Sequence, residues 1–341
     1  MGLNHPRDLA AWRDWQESRH LVRRVKHLAL PQRPDDAGPH LVLHTQDESA
    51  PVLVAVDGLT PTKLAAVMSP AHHLRMAVSV LAPGDVTHLL PGDGWSARRV
   101  SAEALSGREH SVTVAAGHFL PVGAAAYDAA RATGSTFCVV QHGLLTPFAP
   151  PLPDGAHLFA WSEGDADFWI SGRDDITSTV VGSQLFWDAG QRPRGDVHDG
   201  PPVYLGQLHG AELSRAHMAR SAGRFCRSTG ATYRPHPAEI DKLSRLQHAV
   251  WRRQGIAIDT TGTPLNESTR PVVSAFSTGV VEAACRGIPA WVQLDRPPIW
   301  VEEFWDRYGM SRWGDEPTPV PEVLSSEPAR AIADEIQGML G

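Results

Sequence analysis

The sequence is poor in cysteine and lacks the spacings that bind metals. Its three cysteines, Cys138, Cys226 and Cys285, lie far apart, and no C-x-x-C occurs among the 341 residues. A zinc site or a disulfide framework is therefore not expected, and we interpret the three as buried free thiols of a reducing compartment. The sequence also has no secretory leader at its start and no apolar run as long as a membrane span. These absences predict a cytoplasmic protein.

The sequence also lacks a net positive charge and two common nucleotide-binding motifs. The formal net charge is −7, with 31 Lys and Arg against 38 Asp and Glu, which argues against a nucleic-acid partner. No G-x-x-x-x-G-K-[ST] and no G-x-G-x-x-G after a strand occurs, so neither P-loop hydrolysis nor dinucleotide redox chemistry is predicted. The 17 histidines show no metal-ligand spacing, so no metal is expected. One basic cluster, Arg19 to Lys26, is either a solvated helix face or a contact with an anionic membrane.

Apolar strand-like runs alternate with helical patterns along most of the chain, which predicts an α/β protein. The near-continuous apolar runs indicate parallel sheets that are covered on both faces. A stretch rich in Gly, Pro and charge, 190–202, is the best linker. We therefore predict two Rossmann-like doubly wound domains, with an N-terminal acceptor domain at 1–190 and a C-terminal nucleotide-donor domain at 191–325. Residues 326–341 are predicted to form a C-terminal helix that packs back on the N-terminal domain.

Two strand-to-helix turns in the C-terminal half carry the residues expected to bind phosphate. Arg234-Pro235-His236-Pro237 follows one short strand pattern, and Ser277-Thr278-Gly279 follows another about forty residues later, with Glu282 beyond it. The carboxyl ends of parallel strands meet at one sheet edge, where helix N-termini favour anions. His209 and Gly210 follow the first strand of this half and are predicted at the same edge. Each residue also has an ordinary structural interpretation, as a helix cap or a turn residue.

Three residues that end strands in the N-terminal half are candidates for a general base. These are Asp57, which precedes Gly58, then His118, and then His142 within Gln141-His142-Gly143. Transfer of a sugar to a hydroxyl needs one group that takes the hydroxyl proton, and His or Asp can do so near neutral pH. A glycine beside His142 leaves room for a substrate. The sequence does not decide among the three, and each can equally be part of a turn or a cap.

With these motifs in place, the chain resembles the GT-B-type glycosyltransferases, and most of all the bacterial capsule, teichoic-acid and polysialic-acid types. The resemblance covers roughly residues 110–295 and rests on motifs that occur in the family's order: Gln141-His142-Gly143, Val181-Gly182-Ser183, Arg234-Pro235-His236-Pro237, Ser277-Thr278-Gly279 to Glu282, and Gly287-Ile288-Pro289. Polysialic-type enzymes carry an acidic pair before a glycine. Here Val56 replaces the first acid before Asp57-Gly58.

The resemblance implies two domains that face each other across a cleft, and it implies roles for the motif residues. His236, Ser277 and Thr278 would bind the donor's phosphate, Glu282 would contact ribose, and His142 would act on the acceptor side. The implied activity is metal-independent, inverting transfer of a sugar or polyol phosphate from a CMP-, CDP- or UDP-linked donor. The acceptor would be a cell-surface glycan or a lipid-linked glycan, reached from the cytoplasm or the inner membrane face. A sugar-nucleotide epimerase and a non-catalytic nucleotide- or glycan-binding protein are the alternatives.

Overall fold

The computed structural model describes residues 2–19, 41–192, 197–198, 200–262, 264–322 and 325–341. Apolar residues at a helical spacing predict a helix over residues 7–29; its first part is present as α1 (Leu9–Arg19), and its remainder, with most of the basic cluster, lies outside the described residues. Part of the predicted linker, at 193–196 and 199, also lies outside them. The chain forms two compact units, unit 1 (1–185 and 324–341) and unit 2 (186–323).

In the part of unit 1 that the structure describes, eight strands form one mixed sheet, and helices cover it. Its strands are β1 (Leu41–Thr45), β2 (Val52–Ala55), β3 (Val78–Ala82), β4 (Ser96–Val100), β5 (Val112–Ala115), β6 (Thr136–Val140), β7 (His157–Ala160) and β8 (Thr177–Val180). Its helices after α1 are α2 (Pro61–Lys63), which continues into a π-helical turn (Leu64–Met68), α3 (Ala102–Ser106), α4 (Pro121–Thr133), α5 (Glu163–Ile170) and α11 (Pro328–Leu340). Helix α6 (Gln184–Gln191) contains the boundary between the units.

The sheet of unit 1 has the order β4-β1-β3-β2-β5-β6-β7-β8. The strands from β3 to β8 along this order are all parallel, whereas β1 runs antiparallel to both of its neighbours. The prediction of a purely parallel sheet is therefore wrong for this end. The apolar pattern of Leu41–Thr45 resembles that of the parallel strands, so it carries no signal for strand direction. Beyond β1, the exposed strand β4 forms the sheet edge, and Arg98 and Arg99 make that edge unattractive to another strand.

Both faces of the inner strands β2, β3 and β5 are buried, as their near-continuous apolar sequences predict. Alternate residues of β2 belong to different clusters: Leu53 packs with the alanines of α4, and Val54 packs with Ile332 and Ile336 of α11. The backbone N–H of Ala329, at the start of α11, donates to Gln184 Oε1 over 2.8 Å. Helix α11 is thus part of the core of unit 1.

Unit 2 contains a smaller sheet in which all paired strands are parallel. Its elements are β9 (Val203–Leu205), α7 (Arg215–Thr229), β10 (Thr232–Arg234), α8 (Lys242–Arg253), β11 (Val272–Ser274), α9 (Thr278–Cys285), β12 (Ala290–Val292) and α10 (Ile299–Arg307). The strand order is β10-β9-β11-β12, and single parallel bridges add Ile258 beside β10 and Arg312 beside β12. When Ile258 is counted as the third strand along the chain and Arg312 as the sixth, the order across the sheet is 3-2-1-4-5-6. This is the order of dinucleotide-binding Rossmann sheets.

Because proline suits the first position of a helix, the sequence predicts that the helix after Arg234-Pro235-His236 starts at Pro237, but this helix begins later, at Lys242. Asp241 caps α8, because its Oδ1 accepts the backbone N–H groups of Leu243 and Ser244. Pro237 is therefore not the first residue of that helix. His236 lies in a separate turn, which is closed by hydrogen bonds between His236 and the buried Glu239. None of the described helices is both long and apolar enough to cross a lipid bilayer.

Candidate functional site

Three candidate residues of unit 1 follow adjacent strands at one edge of its sheet. The chain passes from β2 to β3 and later to β5 on the other side of β2, so the connections change direction between β2 and β5. Ligands of open α/β sheets bind outside the carboxyl ends of the strands at such a point. Asp57 follows β2, His118 follows β5 and His142 follows the neighbouring β6. The edge is the one predicted for all three residues.

Asp57 binds the first turn of α4. Its Oδ1 accepts the N–H of Val122 over 2.8 Å and its Oδ2 accepts the N–H of Gly123 over 3.0 Å. A Cβ on Gly123 would collide with the carbonyl oxygen of Gly117 and lie 2.9 Å from Asp57 Oδ2, so only glycine fits there. Burial raises the pKa of Asp57, and the two N–H bonds oppose that rise. The residue therefore caps a helix and places a carboxyl group at the switch point.

Lys63 lies beside Asp57, although the sequence analysis did not identify it as a site residue. A Cβ on Gly58 would lie 3.7 Å from both Cδ and Nζ of Lys63, which places this side chain against the Asp57-Gly58 turn. Burial lowers the pKa of the Lys63 ammonium, and the charge of Asp57 opposes that change. A lone lysine in a short helix has no distinctive sequence pattern. Its position beside Asp57 is visible only in the structure, where α2 follows the carboxyl end of β2.

His142 is held in place by its neighbour Gln141, whose side chain is fully buried. Gln141 Nε2 donates to Asp165 Oδ2 over 2.9 Å, and Gln141 Oε1 accepts the backbone N–H of Trp161 over 2.9 Å. Burial, and then the charge of Lys63, lower the pKa of His142 to about 4, so the ring is neutral near pH 7. Its Nδ1 is buried and has no hydrogen-bond partner among the described residues. The fold thus brings Asp57, Lys63 and His142 together.

His118 has different charged neighbours. Its ring makes an edge-to-face contact with Tyr127 at 5.2 Å between centroids. Burial, and then the charge of Arg13, lower the pKa of His118 to about 4, while Asp154 opposes that change. Its buried Nδ1 also lacks a partner within the described part of the chain. His118 therefore shares the sheet edge with Asp57 and His142 but not their charged cluster.

The candidate residues of unit 2 also lie at the carboxyl edge of its sheet. The connections change direction between β9 and β11, and His209 with Gly210 follows β9. His236 follows β10, and Ser277 follows β11. All these residues thus lie where an α/β sheet of this order binds its ligand.

His209 and His236 form a stacked pair. Their ring centroids are 3.8 Å apart and their planes differ by 18°. His236 Nδ1 accepts the backbone N–H of Ala238 over 3.1 Å, so the proton of the neutral ring sits on Nε2. Burial, and then the neighbouring His236 and Arg215, lower the pKa of His209 to about 4. Burial also lowers the pKa of His236, and Glu239 opposes this.

Glu239 holds this pair in place, and sequence analysis did not identify it. Its buried carboxylate accepts the N–H of Leu208 over 2.9 Å and the N–H of His236 over 3.3 Å. It also accepts from the Tyr233 hydroxyl and lies 3.0 Å from Nε2 of His248. A single carboxylate thus ties the loop before His209 to the turn of His236. The sequence carries one signal for this role, since Glu239 lies three residues after His236, as the acidic residue does in a capping box.

Gln207 connects the His209 loop to the turn after β11. Its Oε1 accepts the N–H of Phe276 over 3.1 Å and lies 3.1 Å from the Ser274 hydroxyl. Ser277 caps α9 by accepting the N–H of Gly279 over 3.1 Å, and Thr278 is the first residue of that helix. The ordinary capping interpretation therefore describes what Ser277 does in this structure.

Gly279 serves close packing rather than an open approach. A Cβ there would lie 2.7 Å from Leu205 and 2.8 Å from Leu265, so the missing side chain lets α9 approach β9. At Gly210, a Cβ would lie 2.7 Å from Glu212 Oε2. Both glycines therefore face protein atoms of unit 2.

Glu282 lies among arginines of unit 2. Burial raises its pKa, and Arg286, Arg192 and Arg234 oppose that rise. Arg234 also forms an ion pair with Asp259 at 3.7 Å. The predicted phosphate-contacting arginine is thus close to two carboxylates, which hold its guanidinium near the sheet edge.

Comparison with known proteins assigns no family. No protein-family model matches the chain, and no curated protein matches it either. Among the residues that the structure describes, no group of three His, Cys, Asp or Glu side chains is arranged to hold a metal ion.

Proposed function

We propose that the protein is a glycosyltransferase of the GT-B type that uses a nucleotide-activated donor. The supporting observation is the stacked pair of His209 and His236 at the switch point of a sheet with Rossmann strand order. Two imidazoles in contact are both held neutral by burial, and an anion beside them would favour their protonation. In this proposal unit 2 binds the donor's phosphate and unit 1 supplies the proton acceptor.

The donor site is built from the pair and the start of α9. The Nε2–H of His236 donates to a phosphate oxygen, and the positive end of the α9 dipole attracts the same charge. Ser277 and Thr278 border that terminus, and Glu282 accepts from ribose hydroxyls. The charge of the departing nucleotide is thereby stabilised by groups already in position.

The transfer is a displacement at the anomeric carbon. The acceptor hydroxyl oxygen forms a bond to that carbon, while the bond from the carbon to the phosphate oxygen breaks and its electrons leave with the nucleotide. The hydroxyl proton passes to His142, which is neutral near pH 7 and has an unpartnered buried Nδ1. Asp57 is the weaker candidate because both of its oxygens already accept helix N–H groups, and His118 lies outside the cluster of Asp57, Lys63 and His142. The acceptor is a cell-surface or lipid-linked glycan in this proposal.

Nucleotide binding is the first test. A thermal-shift and calorimetric screen of CMP, CDP, UDP and GDP should find at least one nucleotide that stabilises the protein. His236→Ala should weaken that binding about tenfold or more, because it removes a charge-assisted hydrogen bond. His198→Ala is the matched control, since His198 is exposed and precedes β9 at the opposite, amino edge of the same sheet.

The outcomes separate the three functions. Nucleotide binding that His236→Ala leaves unchanged would contradict the donor site. Turnover of a UDP-sugar without any acceptor would identify an epimerase instead. If no nucleotide stabilises the protein, neither enzyme remains, and a non-catalytic protein is the better interpretation.

A further inference from the structure

Helix α8 exposes a row of large apolar side chains on the surface of unit 2. Leu243 is 47% exposed, Leu246 is 61% exposed and Val250 is 36% exposed, and the preceding Ile240 is 75% exposed. The spacing of Leu243, Leu246 and Val250 puts them on one side of the helix. The opposite side is occupied by core residues, so this row does not result from a loosely packed helix.

The core face of α8 is firmly packed. Ser244, His248 and Trp251 are buried, and the ring of Trp251 lies 4.6 Å from that of Tyr233 in an edge-to-face contact. The helix N-terminus is fixed by Asp241, which is also bound by Arg215. The exposed row is therefore presented on a rigid support.

Basic residues flank the apolar row. Helix α8 has the sequence KLSRLQHAVWRR and contains no acidic residue. Lys242, Arg245, Arg252 and Arg253 are all exposed. Lys242 and Arg253 project on one flank of the apolar row, and Arg245 and Arg252 lie beyond them, towards the buried face of the helix. An exposed apolar row bordered by cations on one helix matches the chemistry of an interfacial, anionic membrane surface.

The charge of the whole chain strengthens this interpretation. The protein carries a formal net charge of −7, so attraction to an anionic surface cannot come from its overall charge. A positive helix on an acidic protein would instead orient the molecule, because this face is attracted to an anionic surface that repels the net charge of the chain. The apolar side chains would then enter the region between headgroups and acyl chains.

We infer that the exposed face of α8, formed by Ile240, Leu243, Leu246 and Val250 with its flanking cations, docks unit 2 on the surface of an anionic lipid bilayer. Helix α8 follows the carboxyl end of β10, so its first turn lies at the same sheet edge as His236. A bilayer bound there would lie beside the stacked histidines. The inference does not depend on the transferase proposal, since it requires only the surface of the helix.

Vesicle co-sedimentation tests the inference with the full-length protein. Wild type should bind phosphatidylglycerol-containing vesicles and not pure phosphatidylcholine vesicles, and added salt should weaken the binding. Leu243→Ser with Leu246→Ser should lower the partition coefficient about tenfold or more, and Arg252→Glu with Arg253→Glu should do the same. Because the leucines are exposed, the unfolding midpoint of the first variant should match wild type, whereas that of the second should fall slightly, since anions in the last turn of α8 oppose the helix dipole.

Val320→Ser is the matched control. Val320 is 50% exposed, and it lies two residues beyond Thr318, which bonds to Ala290 at the start of β12 and hence at the opposite sheet edge. Equal binding by wild type to neutral and anionic vesicles, or full binding by the leucine double variant, would overturn the inference. A wild-type dimer in sedimentation equilibrium that the double variant abolishes, without vesicle binding, would identify a second copy as the occupant and also overturn it.

Discussion

Glu239 shows how one buried side chain can position two others. It accepts hydrogen bonds from the loop before His209 and from the turn of His236, and it also faces His248. A carboxylate buried in this way is stabilising only while all of its partners remain, because an unsatisfied polar group in the interior is costly. The geometry of the histidine stack therefore depends on a residue that does not belong to it.

Replacing Glu239 by Gln should loosen the histidine pair. The amide can keep Oε1 as the acceptor of the Leu208 and His236 N–H groups, but it loses the negative charge that strengthens both hydrogen bonds and that lies opposite His248, so we expect unit 2 to lose about 1–3 kcal/mol of stability. Urea unfolding measures that loss. Nucleotide affinity should fall as well, because weaker hydrogen bonds to the loop before His209 and to the turn of His236 hold the two rings less firmly.

Glu303→Gln is the control for this change. Glu303 is exposed on α10 in the same unit, so its substitution should leave both stability and nucleotide affinity as in wild type. If Glu239→Gln matches wild type in both measurements, the carboxylate does not organise the site.

The sequence predicts which residues share a sheet edge but not which of them touch. His209 and His236 each follow a strand, and that placement follows from parallel topology. Their separation of 3.8 Å depends on Glu239, and the grouping of Asp57 with His142 depends on Lys63. These contacts join residues from different strands, and no local pattern in the sequence encodes them.

At the scale of elements, the contact between β2 and α4 is the most restrictive in unit 1. Asp57 reaches across from β2 to bond the first turn of α4, and Gly123 allows the backbone of that turn to approach Gly117. A helix normally takes its N-terminal cap from the residue just before it. Here the capping carboxylate belongs to Asp57, which follows β2, so the start of α4 and the end of β2 are fixed together.

Gly123→Ala should destabilise unit 1 by about 1–3 kcal/mol, since the added methyl group has no space and must displace Gly117 or Asp57. Gly338→Ala provides the comparison, because Gly338 lies in α11 with nothing within 4 Å of an added Cβ. That change should stabilise the helix by about 0.5–1 kcal/mol. Chemical unfolding of both variants measures the two effects, and equal midpoints would contradict the close approach.

Elements with strong apolar patterns were predictable, and those without them were not. The apolar run Thr136–Val140 forms β6, and the C-terminal helix predicted within 326–341 is α11. Strand β4 has the sequence SARRV, and its side chains are largely exposed, so it forms through main-chain pairing with β1 rather than through burial. Tertiary pairing of this kind overrides local propensity.

At the scale of the whole molecule, buried neutral histidines should make stability depend on pH. The pKa values of His118, His142 and His209 are lowered to about 4, from 6.5 in an unfolded chain. Between these values the unfolded state binds more protons than the folded state, so the free energy of unfolding falls as pH falls from about 6.5 towards 4. Above that window these groups contribute no slope.

Urea unfolding at pH values from about 7 to about 4.5 tests this dependence. His142→Gln should reduce the loss of stability at low pH, because one neutral histidine no longer has to be protonated on unfolding. His72→Gln serves as control, since His72 is exposed and its replacement should leave the pH profile of the wild type. A variant at His142 with an unchanged profile would show that this ring is not held neutral by burial.

The placement of the three thiols has a consequence for chemical modification. Cys138 lies in β6 of unit 1, whereas Cys226 and Cys285 lie in α7 and α9 of unit 2, and all three are buried. Burial raises the pKa of each thiol to about 12, so the thiolate that reacts with alkylating reagents is scarce in the native protein. Each cysteine can therefore be alkylated only when its own unit opens, and the rate of labelling at each position reports how often that unit exposes its interior.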